Sequence, residues 1–139
     1  MRSLMVDKYW WADLFDRIYT IFKKRLTAEL KRSYPKLYVT NDNSVTKNNE
    51  FPTVFIHEIS NPEIGQTLEA NEICGITETI QIDVYAKSMT TVKKVTPHAV
   101  MNMKRMMFSM VSGPIYTTVD GISYGFVRCR RTFTHNDSI

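Results

Sequence analysis

An α+β fold is predicted: a single, mostly antiparallel sheet of four to five strands with two main helices packed on it. Three features of the chain lead there. Residues 77–86 alternate, with Thr77, Thr79, Gln81, Asp83 and Tyr85 on one side and Ile80, Ile82, Val84 and Ala86 on the other. That period of two marks a strand with one wet and one buried face. Residues 10–33 place apolar side chains at every fourth position, and Asp120-Gly121 separates two strand-like segments near the C-terminus.

In the first helix Leu14, Ile18, Phe22, Leu26 and Leu30 make the stripe, widened by Phe15 and Ile21. Asp13, Asp16, Arg17, Lys23, Lys24 and Lys31 take the solvated side, the distribution of an amphipathic surface helix. Acids near its start and Lys31-Arg32 near its end suit the helix dipole. Pro35 stops it, because a residue preceding proline is driven out of helical geometry.

Residues 37–40 form a short strand, and the polar, turn-rich stretch 41–50 a loop. Residues 51–59 are the next strand, with Pro52 tolerable at its beginning or on an edge. The connection 60–75 is long for a compact domain and joins two strong strands, so it reads as a protruding hairpin arm. Ile64, Leu68 and Ile73 are its apolar positions for touching a neighbouring subunit.

The second helix is placed at 96–111, with Thr96 as N-cap and Pro97 at the first helical position; a start near Thr90 is the alternative. Ala99, Val100, Met103, Met106, Met107, Met110 and Val111 face the sheet, while Asn102, Lys104, Arg105 and Ser109 face out. Ser112-Gly113-Pro114 ends it. Segments 115–119 and 122–134 then pair around Asp120-Gly121, a favoured type I′ turn. No repeat or linker divides residues 1–139, which make one domain.

Composition narrows function only broadly. The chain is 43% hydrophobic and 23% charged, with a net charge of +4. That mild excess permits steering toward an anionic partner without marking a dedicated nucleic-acid binder. Apolar runs fall far short of the ~20 residues of a membrane span. The charged start of the chain lacks a secretory apolar region, so a cytosolic site of synthesis and no membrane partner are expected. Cys74 and Cys129 read as free thiols, and Asn136-Asp137-Ser138 carries little meaning as a glycosylation sequon without a secretory route.

No catalytic, cofactor or metal residues are assigned. His57, His98 and His135 stand alone, without the ligand spacing of a zinc site. A nucleophilic pair of Cys74 with His57 or His98 lacks any flanking motif. The carboxylate pairs Glu58 with Glu63 and Glu69 with Glu72 read as solvated loop charges, and the five glycines form no phosphate-cradling loop.

Three features fit interaction better than chemistry. In the last strand Arg128 and Arg130 share a face with Tyr124 and Phe126, a pattern that can touch phosphates or stack on bases. Alternatively, it is a solvated face on which the arginines pair with carboxylates such as Asp83. Met101, Met103, Met106, Met107 and Met110 suit either a core or an adaptable groove. Trp10 and Trp11 are either an anchor for another subunit or the end of the core.

The Phe51-Pro52-Thr53-Val54 strand start and the Ile82-Asp83-Val84-Tyr85-Ala86-Lys87-Ser88 strand-to-helix junction, set in this order of elements, resemble the tail terminator (tail completion) proteins of long-tailed bacteriophages. The resemblance spans nearly the whole chain. Pro97 in the second helix and the methionine count depart from that family's pattern. It implies a homo-oligomeric ring, typically a hexamer, that caps the tail tube and meets the head-tail connector protein. DNA passes through its lumen without sequence specificity, and neither catalysis nor a cofactor is implied. The protein would be made in the host cytoplasm and end in the virion. A ring subunit needs an arm for its neighbour and a lumen that does not repel DNA. The 60–75 arm fits the first need, and Arg128, Arg130 and Arg131 the second. A head-side neck connector or stopper, and a small nucleic-acid-binding module, are the competing readings.

Overall fold

The computed structural model describes residues 9–42, 51–60, 63–64 and 74–139. Helix α1 runs from Leu14 to Leu30. The five residues of the predicted stripe are all buried and belong to one core cluster. The helix is shorter than predicted at both ends, with turns at residues 9–13 and 31–33.

Strands β1 (Tyr38–Thr40), β2 (Thr53–Ser60), β3 (Glu63–Ile64), β4 (Gly75–Ala86), β5 (Ser109–Val119) and β6 (Ile122–Phe133) build one mixed, mostly antiparallel sheet. Its order is β1-β2-β4-β6-β5, with the two-residue β3 continuing beside β4. Among the described strands only β1 and β2 run parallel. The predicted α+β class, with one sheet and two helices, is what forms.

Both helices lie on one face, where Val54 and Ile56 of β2, Ile80, Ile82 and Val84 of β4 and Val127 of β6 share the core of α1. No helix covers the other face among the described residues. The alternation of β4 set this division, since one parity is apolar and the other polar.

Helix α2 runs from Met89 to Arg105, not from 96 to 111. Ser88 is the N-cap, its Oγ accepting from Thr91 N at 3.2 Å. Pro97 therefore sits inside the helix, at an exposed position. The Lys93 carbonyl that it leaves without a helical donor belongs to an exposed residue, where water can serve it. The helix stops because Met107 takes a left-handed φ of 66°. Met106 and Met103 are buried in the core, but Met107 is 74% exposed, and Met110 and Val111 lie on β5 outside the predicted stripe. Asn102, predicted to face out, is fully buried.

Asn102 is buried because it joins the two helices. Its Nδ2 donates to Glu29 Oε1 at 3.1 Å and to the His98 carbonyl at 2.9 Å. His98 Nδ1 stands 3.3 Å from the same carboxylate, and Arg105 donates to its other oxygen. Burial pushes the Glu29 carboxyl up, but the Arg105 and His98 hydrogen bonds outweigh it and hold the group below its ordinary range. Such a depressed carboxyl stabilises the fold at neutral pH and loses that contribution as pH falls through its folded value. Glu29→Gln should cost ~1 kcal/mol at pH 7 and much less near pH 3, read by urea unfolding at both pH values.

Candidate functional site

The uncovered face of the sheet is organised around Asp83, which is 4% exposed although no helix lies over it. β4 delivers it to the centre of the sheet, opposite Phe55 of β2 and Phe126 of β6. Tyr124 donates its hydroxyl to Oδ1 at 2.9 Å, and Gln81 Nε2 donates to the same oxygen at 2.8 Å. His57 Nε2 stands 3.1 Å from Oδ2. Burial and the neighbouring Asp83 charge push the Tyr124 phenol far above its ordinary value, and act on Tyr85 in the same direction. Both hydroxyls remain protonated donors at any physiological pH.

Aromatic rings roof this network. Phe55 stacks on His57 with centroids 4.4 Å apart, Tyr85 on Tyr124 at 4.9 Å, and Tyr124 on Phe126 at 5.9 Å. Cross-strand aromatic pairs of this kind stiffen a sheet. The stacked rings cover the polar network around Asp83.

Arg128 and Arg130 do project from this face, one strand in from the edge. The pairing of these arginines with Asp83 does not occur: Arg128 Nε donates to Gln81 Oε1 at 2.8 Å, and the Asp83 oxygens are taken by the other three partners. Arg130 is exposed and forms no ion pair among the described residues. Arg131 has the opposite parity and lies on the helix side. Its guanidinium donates to the Met106 carbonyl at 2.6 Å and the Ser138 carbonyl at 2.8 Å, and lies 4.0 Å from the Phe133 ring centroid. It ties α2 and the C-terminal segment to β6, so the three arginines do not form one patch.

The remaining sequence candidates separate cleanly. Trp10 and Trp11 are partly buried against the core, and Trp10 lies 6.5 Å from the His135 ring. Leu68 and Ile73 lie outside the described residues. Ile64 is placed in β3, where it pairs with Gly75. Residues 63–64 continue the β2 side of the ladder along β4, and the rest of the predicted arm, 61–62 and 65–73, lies outside the described residues.

Cys74 precedes β4 by one residue, seven positions from Gln81, the strand partner of His57. At roughly 3.3 Å per residue they lie about 20 Å apart and do not form a nucleophile–base pair. His98 is engaged by Glu29 on the helix layer. Burial pushes the Cys129 thiol up to about 11, which keeps it protonated and inert. No three His, Cys, Asp or Glu residues come together as metal ligands among the described residues. No described helix is long and apolar enough to cross a membrane.

Two features escaped sequence reasoning. The first is Glu78, whose parity places it with Ile80 and Ile82 on the buried face; it is 1% exposed. Its hydrogen-bond partner is Glu58 of β2, and its Oε1 has no partner. Burial, then the Glu58 hydrogen bond and charge, push the Glu78 carboxyl up to about 9. Glu58 thus belongs to a strand-borne carboxyl pair and not to a loop. The alternation that revealed the strand also carried the signal for Glu78.

The second is the length of β5. Ser112-Gly113-Pro114 lies within this strand, between two register shifts, and does not terminate a helix. Gly113 has φ +86°, and a Cβ there would meet the Phe126 carbonyl oxygen at 2.6 Å. The outcome is an eleven-residue edge strand with no charged side chain, on which Met110, Val111, Ile115 and Val119 are 42% to 58% exposed. Edge strands are usually protected by charge, proline, bulges or extreme shortness; β5 carries Pro114 and its bulges in the first half, and residues 115–119 beyond them have neither charge nor proline.

Comparison of the chain with known protein families and with curated proteins finds no match in either.

Proposed function

We propose that this protein is a structural subunit of a phage-like tail, a tail terminator whose copies form a ring at the end of the tail tube. The single observation that carries the reading is the uncharged, apolar β5 edge, whose outer side no described strand pairs. An exposed row of unpaired backbone groups is a template for another chain. A head-to-tail contact between copies closes into a ring when the rotation permits. The resemblance of the Phe51–Val54 strand start and the Ile82–Ser88 junction to tail terminators supplies the biological setting. The aromatic-roofed face bearing Arg128 and Arg130 suits a surface past which DNA slides, because it supplies positive charge without groove-reading elements.

The test mixes purified protein with tail tubes that lack a terminator, and separately with portal complexes, and images both by negative stain. The reading expects density at tube ends. Density on portals alone transfers the protein to the head-side connector reading. A second reading, a small single-strand-binding module, is favoured only by the Tyr124, Phe126 and free Arg130 arrangement on an open sheet. It expects an isolated monomer to bind oligonucleotides with steep salt dependence.

A further inference from the structure

Charge is segregated along this chain. Residues 48–86 hold seven of its 14 acidic residues and neither lysine nor arginine. Helix α2 holds four basic residues and no acid. Among the described residues, Glu58 of the first region and helix α2 lie at opposite margins of the sheet. Glu58 and Glu78 stand on the helix side near the β2–β3 margin, beyond the three residues of β2 that β1 covers. Helix α2 packs beside β5 at the other margin, with Lys93 Nζ 5.4 Å from the Tyr116 ring centroid.

Glu78 gives the acidic margin its direction. It is fully buried, keeps its proton, and hydrogen-bonds to Glu58, which is exposed. A neutral acid behind an exposed carboxylate donates to it and fixes its position, and neither group pairs with a base among the described residues. The unpartnered Oε1 of Glu78 is a buried acceptor at the same margin, of the kind that native proteins rarely leave unmet.

We infer that the β2–β3 margin of one copy adds antiparallel to β5 of a second copy, setting Glu58 against the lysines of that copy's α2. This rests on the self-assembling reading above and names its contact. Strand polarity agrees. β2 is antiparallel to β4, β4 to β6 and β6 to β5, so β5 runs opposite to β2 and an incoming β2 extends the antiparallel ladder. Face also agrees: continuing the sheet keeps its helix side continuous, which brings Glu58 toward Lys93 and Lys104, the two lysines on the β5 side of α2. The contact joins two different surfaces, and contacts of that kind build rings.

The backbone tells which residues of β5 serve the newcomer. Asp120 and Gly121 have φ 52° and 78°, the type I′ turn. In such a hairpin the flanking residues Val119 and Ile122 exchange both bonds, so alternate residues, Thr118 and Tyr116, point N–H outward.

The test measures self-association of the full chain by analytical ultracentrifugation at low and high salt, with circular dichroism of every variant. Glu58→Lys alone, and Lys93→Glu with Lys104→Glu, should each weaken association at least about tenfold, and the triple variant should recover most of the loss. Thr118→Pro should weaken it to a similar extent with unchanged circular dichroism, since it removes an outward N–H. If the wild type associates but the charge variants do not differ from it, this contact is wrong and the assembly reading stands. Loss with Thr118→Pro alone would indicate a two-fold β5–β5 dimer and likewise overturns the contact. A wild type that stays monomeric at every concentration overturns both.

Discussion

Gly113→Ala should destabilise the fold by about 3 kcal/mol, the sum of a left-handed backbone that disfavours a side chain and a collision in a closed sheet. Gly113 holds φ +86°, and an added Cβ meets the Phe126 carbonyl oxygen at 2.6 Å and the Val127 Cα at 3.2 Å. Both of those are backbone atoms of the central partner strand β6, so no side chain can swing away to make room. The bulge must open, and the first half of β5 must shift along β6. For a chain of 139 residues, about 3 kcal/mol corresponds to a fall of roughly 10 °C in Tm. Differential scanning calorimetry checks this; a fall under about 2 °C would mean that the bulge is soft. Gly121→Ala is the control, because that glycine also has positive φ but nothing lies within 4 Å of its Cβ position, and it should cost about 1 kcal/mol.

Glu78→Gln should stabilise the protein at neutral pH. In the unfolded chain this carboxyl ionises near 4.5, whereas in the fold it is pushed up to about 9. Between those values the folded state binds a proton that the unfolded state releases, so stability falls as pH rises across the interval. Below pH 4.5 both states are protonated and the penalty vanishes. Glutamine has nearly the same shape, carries no charge at any pH and still donates to Glu58. The gain is on the order of 2 kcal/mol at pH 7 and near zero at pH 4. Urea midpoints at the two pH values read it directly. A loss of stability at pH 7, or a gain equal at both, contradicts the buried-acid account.

How much was legible in the sequence follows from which signals are local. The α1 stripe, the β4 alternation and the Asp120-Gly121 turn each depend on residues within one element, and each appears where the pattern puts it. The second helix shifted by a turn or more at each end because Thr96-Pro97 imitates a helix start. The real cap, Ser88, is decided by its hydrogen bond from Thr91 N. Ser112-Gly113-Pro114 looks like a stop in one dimension, but in the sheet it is a bulge that β6 holds in place. Arg131 was grouped with Arg128 and Arg130 by proximity along the chain, although an odd spacing sends it through to the other face. Pairing Asp83 with an arginine, one of the two readings of that face, weighs charge before geometry; His57, Gln81 and Tyr124 reach it first from neighbouring strand positions. The exposed β5 edge was invisible for a different reason: its first half was counted as helix.

The central claim is that a single copy is incomplete and that its unpaired sheet margin is filled by further copies. The most direct measurement is the native mass of the purified full-length chain across a wide concentration range. The account predicts a discrete closed species, a fixed multiple of 16.2 kDa that persists on dilution and shows a ring in the microscope. A mass of 16.2 kDa at every concentration, with β5 amides exchanging no faster than those of β6, would contradict it.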